Sequence, residues 1–143
     1  MKKNGFTLIE VLLVVAIIAI LAGIVILAIN PTRQLGDATE TRQQADVVTI
    51  LDAVYQYAID NSGAIPNDTG EISTTLTEIC ATGAADCTGF ADLSDLTTNE
   101  EYLTAIPVDP EGNTTDGAGY QIQETANGRV TVTSNDGNVT ATR

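Results

Sequence analysis

The sequence predicts an α+β fold: one long N-terminal helix, kinked near Pro31, whose second half packs on a small antiparallel sheet. Three stretches carry that prediction. Val11 to Ile29 is nineteen residues without a charge, too long and too apolar for a strand. From about residue 33 to 61, apolar side chains recur at steps of three, four or seven, the period of an amphipathic helix. Near the C-terminus, Tyr120-Gln121-Ile122-Gln123 and Val130-Thr131-Val132-Thr133 alternate apolar and polar residues, the pattern of strands covered on one face.

Taken in order, the first element is the apolar helix. From Phe6 to Ile29 it is roughly 36 Å long at about 1.5 Å per residue, enough to cross a bilayer. Lys2 and Lys3 precede it, which predicts a cytoplasmic N-terminus with the rest of the chain outside. Glu10 is the exception in this stretch. A carboxylate at that depth costs on the order of 2.5 to 3.5 kcal/mol, so it demands a function and a partner. An ordinary signal anchor has no need of Glu10, and the run is longer than the apolar region of a cleaved secretory signal.

A short basic leader, Gly5, then Phe6-Thr7-Leu8-Ile9-Glu10 heading a long apolar helix resembles the class III leader of the type IV pilin and type II secretion pseudopilin superfamily. That resemblance implies cleavage after Gly5 by a prepilin peptidase and methylation of the new terminal residue, Phe6. It places the family glutamate at Glu10, where it meets the terminal amine of a neighbouring subunit. It implies a leader over residues 1–5, a membrane and filament-core helix over 6–30, and an extracytoplasmic domain over 31–143. It also implies partners: other copies of the chain in a helical polymer, an inner-membrane assembly platform with its ATPase, and minor pilins.

Composition bears on function as well. Six basic against 19 acidic residues give a net charge of −13, and loss of Lys2 and Lys3 with the leader leaves −15. Such a chain repels the phosphate backbone, so no direct nucleic-acid binding is expected. There is no histidine, the commonest catalytic base and metal ligand, which argues against an enzyme.

Asn30-Pro31-Thr32 interrupts the helix, since proline removes a backbone bond. The amphipathic stretch that follows offers Leu35, Ala38, Ala45, Val48, Leu51, Tyr55, Ala58 and Ile59 as its apolar stripe, and the resemblance implies that the sheet covers this face. Asn61-Ser62-Gly63 and then Pro66 end it. Residues 65–98, rich in Thr, Ser, Gly, Ala and Asp, read as a connecting loop with a short helix or irregular segment over Glu71 to Ile79. The loop holds the two cysteines, Cys80 and Cys87. Outside the cytoplasm they are expected as a disulfide, with two free thiols as the alternative.

Glu100 to Gly112, with Tyr102-Leu103 ahead of Pro107-Val108-Asp109-Pro110-Glu111-Gly112, is similar to the segment leading into the sheet in secretion pseudopilins. There, nearby oxygens hold calcium. The corresponding donors are Asp109, Glu111, Asn113 and Asp116, and a solvated acidic turn is the competing reading. Ala126-Asn127-Gly128 and Asn135-Asp136-Gly137 mark turns between three short strands. The glycosylation patterns at Asn67, Asn113 and Asn138 are read as unused.

Function follows as a structural filament subunit, held in the membrane and then polymerised through its N-terminal helix. A major pseudopilin of a secretion or competence system, and a membrane-anchored binding module that never polymerises, are the alternatives.

Overall fold

The computed structural model describes residues 5–29, 31–66 and 72–143. Lys2, Lys3 and Asn67 lie outside these residues, and so does Asn30, on which the kink expected at Pro31 turns. The elements are α1 (Leu8–Ile29), α2 (Pro31–Asp60), β1 (Thr77–Cys80), a short α3 (Ser94–Thr97), β2 (Gly117–Glu124), β3 (Val130–Ser134) and β4 (Thr140–Thr142). They divide into two units, Met1–Ala38 and Thr39–Arg143.

In the first unit, Thr7 starts α1. Its carbonyl accepts the N–H of Glu10 at 3.1 Å and of Val11 at 3.3 Å, and its hydroxyl accepts the Glu10 N–H at 3.3 Å. This is N-capping by threonine. None of the 22 residues of α1 is buried, and its large apolar side chains all face outward, from Leu8 at 80 % exposure to Ile29 at 47 %. A helix apolar on every side needs a bilayer or other helices around it.

In the second unit, α2 lies on a four-stranded antiparallel sheet of order β1-β2-β3-β4. The helix buries Gln43, Val47, Ile50, Leu51, Ala53 and Val54, which corrects the stripe expected from the sequence. Leu51 is the shared member. Ile59 is 73 % and Leu35 68 % exposed, and Ala38 and Ala45 are exposed as well. The true stripe runs through 43, 47, 50 and 54, one register earlier, and starts on a polar residue that the apolar pattern passed over. The helix ends at Asp60 as the stop signal requires: the N–H of Asn61 bonds to the Tyr57 carbonyl at 2.9 Å, and that of Gly63 to Ala58 at 2.7 Å. Gly63 takes φ +94°, where glycine avoids the side-chain penalty.

β2 and β3 pair Ile122 with Val132 and Glu124 with Val130, so Tyr120, Ile122, Val130 and Val132 share one face. These four join Val47, Ile50, Leu51 and Val54, together with Ile79, Leu93, Leu96 and Ile106, in one buried cluster. Each such side chain contributes about 1.5 to 3 kcal/mol by leaving water. The opposite face carries threonines whose hydroxyls bond in cross-strand pairs, Thr131 with Thr142 at 2.9 Å and Thr133 with Thr140 at 2.8 Å.

The sequence reading of Glu71 to Ile79 as helical or irregular is corrected at β1. Thr77–Cys80 pairs with β2, Thr77 opposite Ile122, making four strands where three were expected. Ala91 bridges to Ile79 on the other side of β1 and so covers that edge of the sheet. Tyr57 and Tyr102 meet edge to face with ring centroids 5.5 Å apart, which ties the segment after α3 to the helix.

Candidate functional site

Two places carry chemistry: the start of α1, and the turn that leads into β2. At the first, Gly5 and Phe6 precede the helix and are exposed, and Glu10 sits in its first turn, also exposed. Arg42 pairs with Asp46 and Arg143 with Asp52, and Glu10 takes part in neither pair. A helix N-terminus favours an acid there by about 0.3 to 1 kcal/mol. That is less than the roughly 2.5 to 3.5 kcal/mol an intramembrane carboxylate costs. Capping therefore does not account for Glu10.

The second place is built around Asp109, which is only 1 % exposed. Its Oδ2 accepts the Nε2–H of Gln43 on α2 at 2.9 Å, and its Oδ1 accepts the Glu111 N–H at 2.9 Å. Its carbonyl accepts the Asn113 side-chain amide at 2.7 Å, and its N–H bonds to the Ala118 carbonyl at 2.9 Å. Glu111 is turned to the hydroxyl of Thr39. Asp116 points to the cysteine loop instead, where Oδ1 accepts the Ala85 N–H at 3.1 Å and its carbonyl the Ala81 N–H at 2.7 Å.

These four residues do not fit a calcium ion. Calcium takes six to eight oxygens, but both oxygens of Asp109 are already engaged, Asn113 presents its amide donor, and Asp116 faces another element. Among the described residues, no three acidic, cysteine or histidine side chains converge as metal ligands. The space around Asp109 is filled by backbone: a Cβ on Gly112 would lie 2.9 Å from Asp109 Oδ2, and one on Gly119 2.6 Å from Asp109 Cβ.

Gln43 is the member of this place that sequence reasoning missed. The Ser134 hydroxyl and then the Asn138 N–H hold the Asp136 carboxyl below the usual carboxylate range, with a smaller share from the Gln43 side chain. A polar residue at a helical core position was the signal for Gln43. Beside it, the Tyr120 hydroxyl donates to Asp46 Oδ2 at 2.9 Å, and burial, then the Asp46 carboxylate, pushes the phenol well above its ordinary value. Cys80 and Cys87 form the expected disulfide, Cα atoms 5.5 Å apart. The side-chain amides of Asn113 and Asn138 both donate within the chain, the latter to Asp136.

Residues 1–26 match the family model described as the prokaryotic N-terminal methylation motif. The chain is also 27 % identical over 112 residues to "Type II secretion system core protein G" of Escherichia coli (strain K12), covering 78 % of this chain and 69 % of that protein. The motif and this similarity both support the type IV pilin and type II secretion pseudopilin superfamily. No solved structure matches it. The pilin-type leader and α1 fit a membrane-anchored protein, and the long helix with its small antiparallel sheet is the α+β arrangement of a pilin. Motif and relative alike indicate a structural pilin or pseudopilin family and not an enzyme.

Proposed function

We propose that this pilin-like chain is the structural subunit of a type IV pilus-like filament. Prepilin peptidase cuts after Gly5 and Phe6 is methylated. α1 then leaves the membrane to pack with the α1 helices of other copies, with minor pilins and an inner-membrane platform and its ATPase assisting. The mature chain ends on the cell surface or in the periplasm.

One observation carries this reading. Glu10 is an exposed acid in a helix whose large apolar side chains are all exposed, four residues after the residue that becomes the N-terminus. A methylated amine keeps its charge, and pairing it with Glu10 of a neighbour leaves neither charge alone in an apolar bundle. Head-to-tail contacts of this kind do not close, which gives an open helical polymer.

A second reading, a major pseudopilin of a secretion machine, is favoured by the similarity to core protein G. Deletion separates them. Loss of long filaments from sheared surface material supports the pilus, whereas intact surface filaments with a block in protein export support the pseudopilin. If neither changes, the chain is an anchor that does not polymerise.

A further inference from the structure

The turn between β2 and β3 holds a reactive pair that filament assembly does not use. Thr125 to Arg129 closes this hairpin: the Thr125 N–H bonds to the Arg129 carbonyl at 2.7 Å, the Gly128 N–H to the Thr125 carbonyl at 2.9 Å, and the Arg129 N–H to the Thr125 hydroxyl at 3.1 Å. Ala126, Asn127 and Gly128 form its tip, and all three are exposed. Asn127 is thus followed by the residue type that leaves the next backbone nitrogen unscreened. Only Glu124 Oε1, at 3.8 Å, lies within 4 Å of the place a Cβ on Gly128 would take.

The other described asparagines lack this combination. The side-chain amides of Asn61, Asn113, Asn135 and Asn138 donate to the Tyr57 carbonyl at 2.9 Å, the Asp109 carbonyl at 2.7 Å, the Gly112 carbonyl at 3.2 Å and Asp136 Oδ2 at 2.8 Å. Each must give up that bond before its Cγ can turn to the following nitrogen, and each precedes a residue with a side chain. Asn99 precedes Glu100. Among the described residues the Asn127 amide makes no such bond. Asn4 also precedes a glycine, but it lies outside the described residues.

We propose that Asn127 is a site of spontaneous deamidation, with water as its co-reactant. When the turn opens locally, the Gly128 nitrogen is released from the Thr125 carbonyl. It loses its proton to solvent base and attacks Asn127 Cγ. The new C–N bond closes a succinimide ring, and the side-chain nitrogen leaves as ammonia. Water then opens the ring at either carbonyl, giving aspartate at position 127 or isoaspartate, in which the chain continues through the former side chain. Either product adds a negative charge beside Arg129. Isoaspartate also lengthens the backbone of a turn that fixes the β2–β3 register. Asp136-Gly137, the matching pair in the next turn, has no ammonia to lose, and its carboxylate is held by Ser134 and Asn138. The site is independent of which filament the subunit builds.

The test incubates the full-length chain in detergent, in mildly alkaline buffer at physiological temperature. Tandem mass spectrometry with electron-transfer fragmentation assigns the acid-for-amide mass change to a residue and separates aspartate from isoaspartate. The expected result is conversion at Asn127 ahead of Asn61, Asn99, Asn113, Asn135 and Asn138, with both products present. Conversion should quicken as pH rises, and again in denaturant, where the Gly128 N–H is free. Asn127→Gln, whose longer side chain closes the ring poorly, should stay unmodified at that position. Conversion of any of the other five before Asn127, or an Asn127 unchanged in the folded chain once the denatured chain has reacted fully, would overturn the proposal. So would conversion of Asn127→Gln at the parent rate, which would mean direct hydrolysis without the ring.

Discussion

Replacing Gly119 by alanine tests how closely the turn and the sheet are packed. Gly119 has φ +82°, and an added Cβ would lie 2.6 Å from Asp109 Cβ, 2.8 Å from the Gly112 carbonyl carbon and 2.9 Å from the Asn113 nitrogen. Two of these neighbours are backbone, so neither can swing aside. The left-handed conformation costs a side chain about 1 to 2 kcal/mol, and the overlap about 1 to 3 kcal/mol more. Gly137 is the control, since its φ is +74° but nothing lies within 4 Å of its added Cβ. Gly137→Ala should therefore carry the conformational cost alone. In a unit of this size each kcal/mol moves melting by about 4 to 8 °C, so Gly119→Ala should melt roughly 5 to 15 °C below Gly137→Ala. The assay is thermal unfolding of the full-length chain in detergent, followed by near-ultraviolet circular dichroism of tyrosine. All four tyrosines, Tyr55, Tyr57, Tyr102 and Tyr120, lie in the Thr39–Arg143 unit, so α1 does not contribute. Equal melting of the two variants would refute the packing described around Asp109.

Three other outcomes are expected. Because burial raises the Tyr120 phenol in the folded chain, its contribution is complete below its ordinary value of 10.0 and is lost as pH rises towards the raised folded value. Melting should fall above about pH 10, and Tyr120→Phe should flatten that fall; a slope unchanged in the variant would assign it elsewhere. The disulfide closes a loop with a sequence separation of 7, so a Cys80→Ser, Cys87→Ser chain should lose about 2.5 kcal/mol in denaturant unfolding, and undiminished stability would count against the restraint. Intact-mass measurement of membrane or filament material should show a chain beginning at Phe6 with one added methyl; any other start would remove the processing reading.

What the sequence made legible were the features that repeat along the chain. The apolar run of α1, the stop at Asn61 to Gly63, and the alternation in β2 and β3 each extend over enough residues for a period to show. β1 did not show, because Thr77–Cys80 is four residues and its partner strand lies some forty residues downstream. The α2 stripe was misplaced because Gln43 is a core residue by virtue of Asp109, 66 positions away, a pairing no local pattern contains. The same distance explains the acidic turn. Asp109, Glu111, Asn113 and Asp116 are close in sequence and look like converging oxygen donors, but the fold turns Asp109 inward to α2 and Asp116 towards Ala81 and Ala85. At the N-terminus the opposite holds: the motif that runs through Gly5, Phe6 and Glu10 depends on spacing alone, and residues 1–26 match its family model.

Whether Glu10 serves polymerisation is decided by Glu10→Val. The substitution leaves the cap intact, since Thr7 bonds to the backbone N–H of residue 10 and not to its side chain. It also removes an insertion cost of about 2.5 to 3.5 kcal/mol, so the variant should enter the membrane and be cut after Gly5 as before. Assembly is where it should fail. Each incoming Phe6 amine would enter an apolar bundle without a counter-charge, at about 3 to 5 kcal/mol per subunit. Electron microscopy of sheared material should show filaments from the parent and none, or very few, from Glu10→Val, with processed monomer accumulating in the membrane fraction. Filaments from Glu10→Val in normal number would contradict the account.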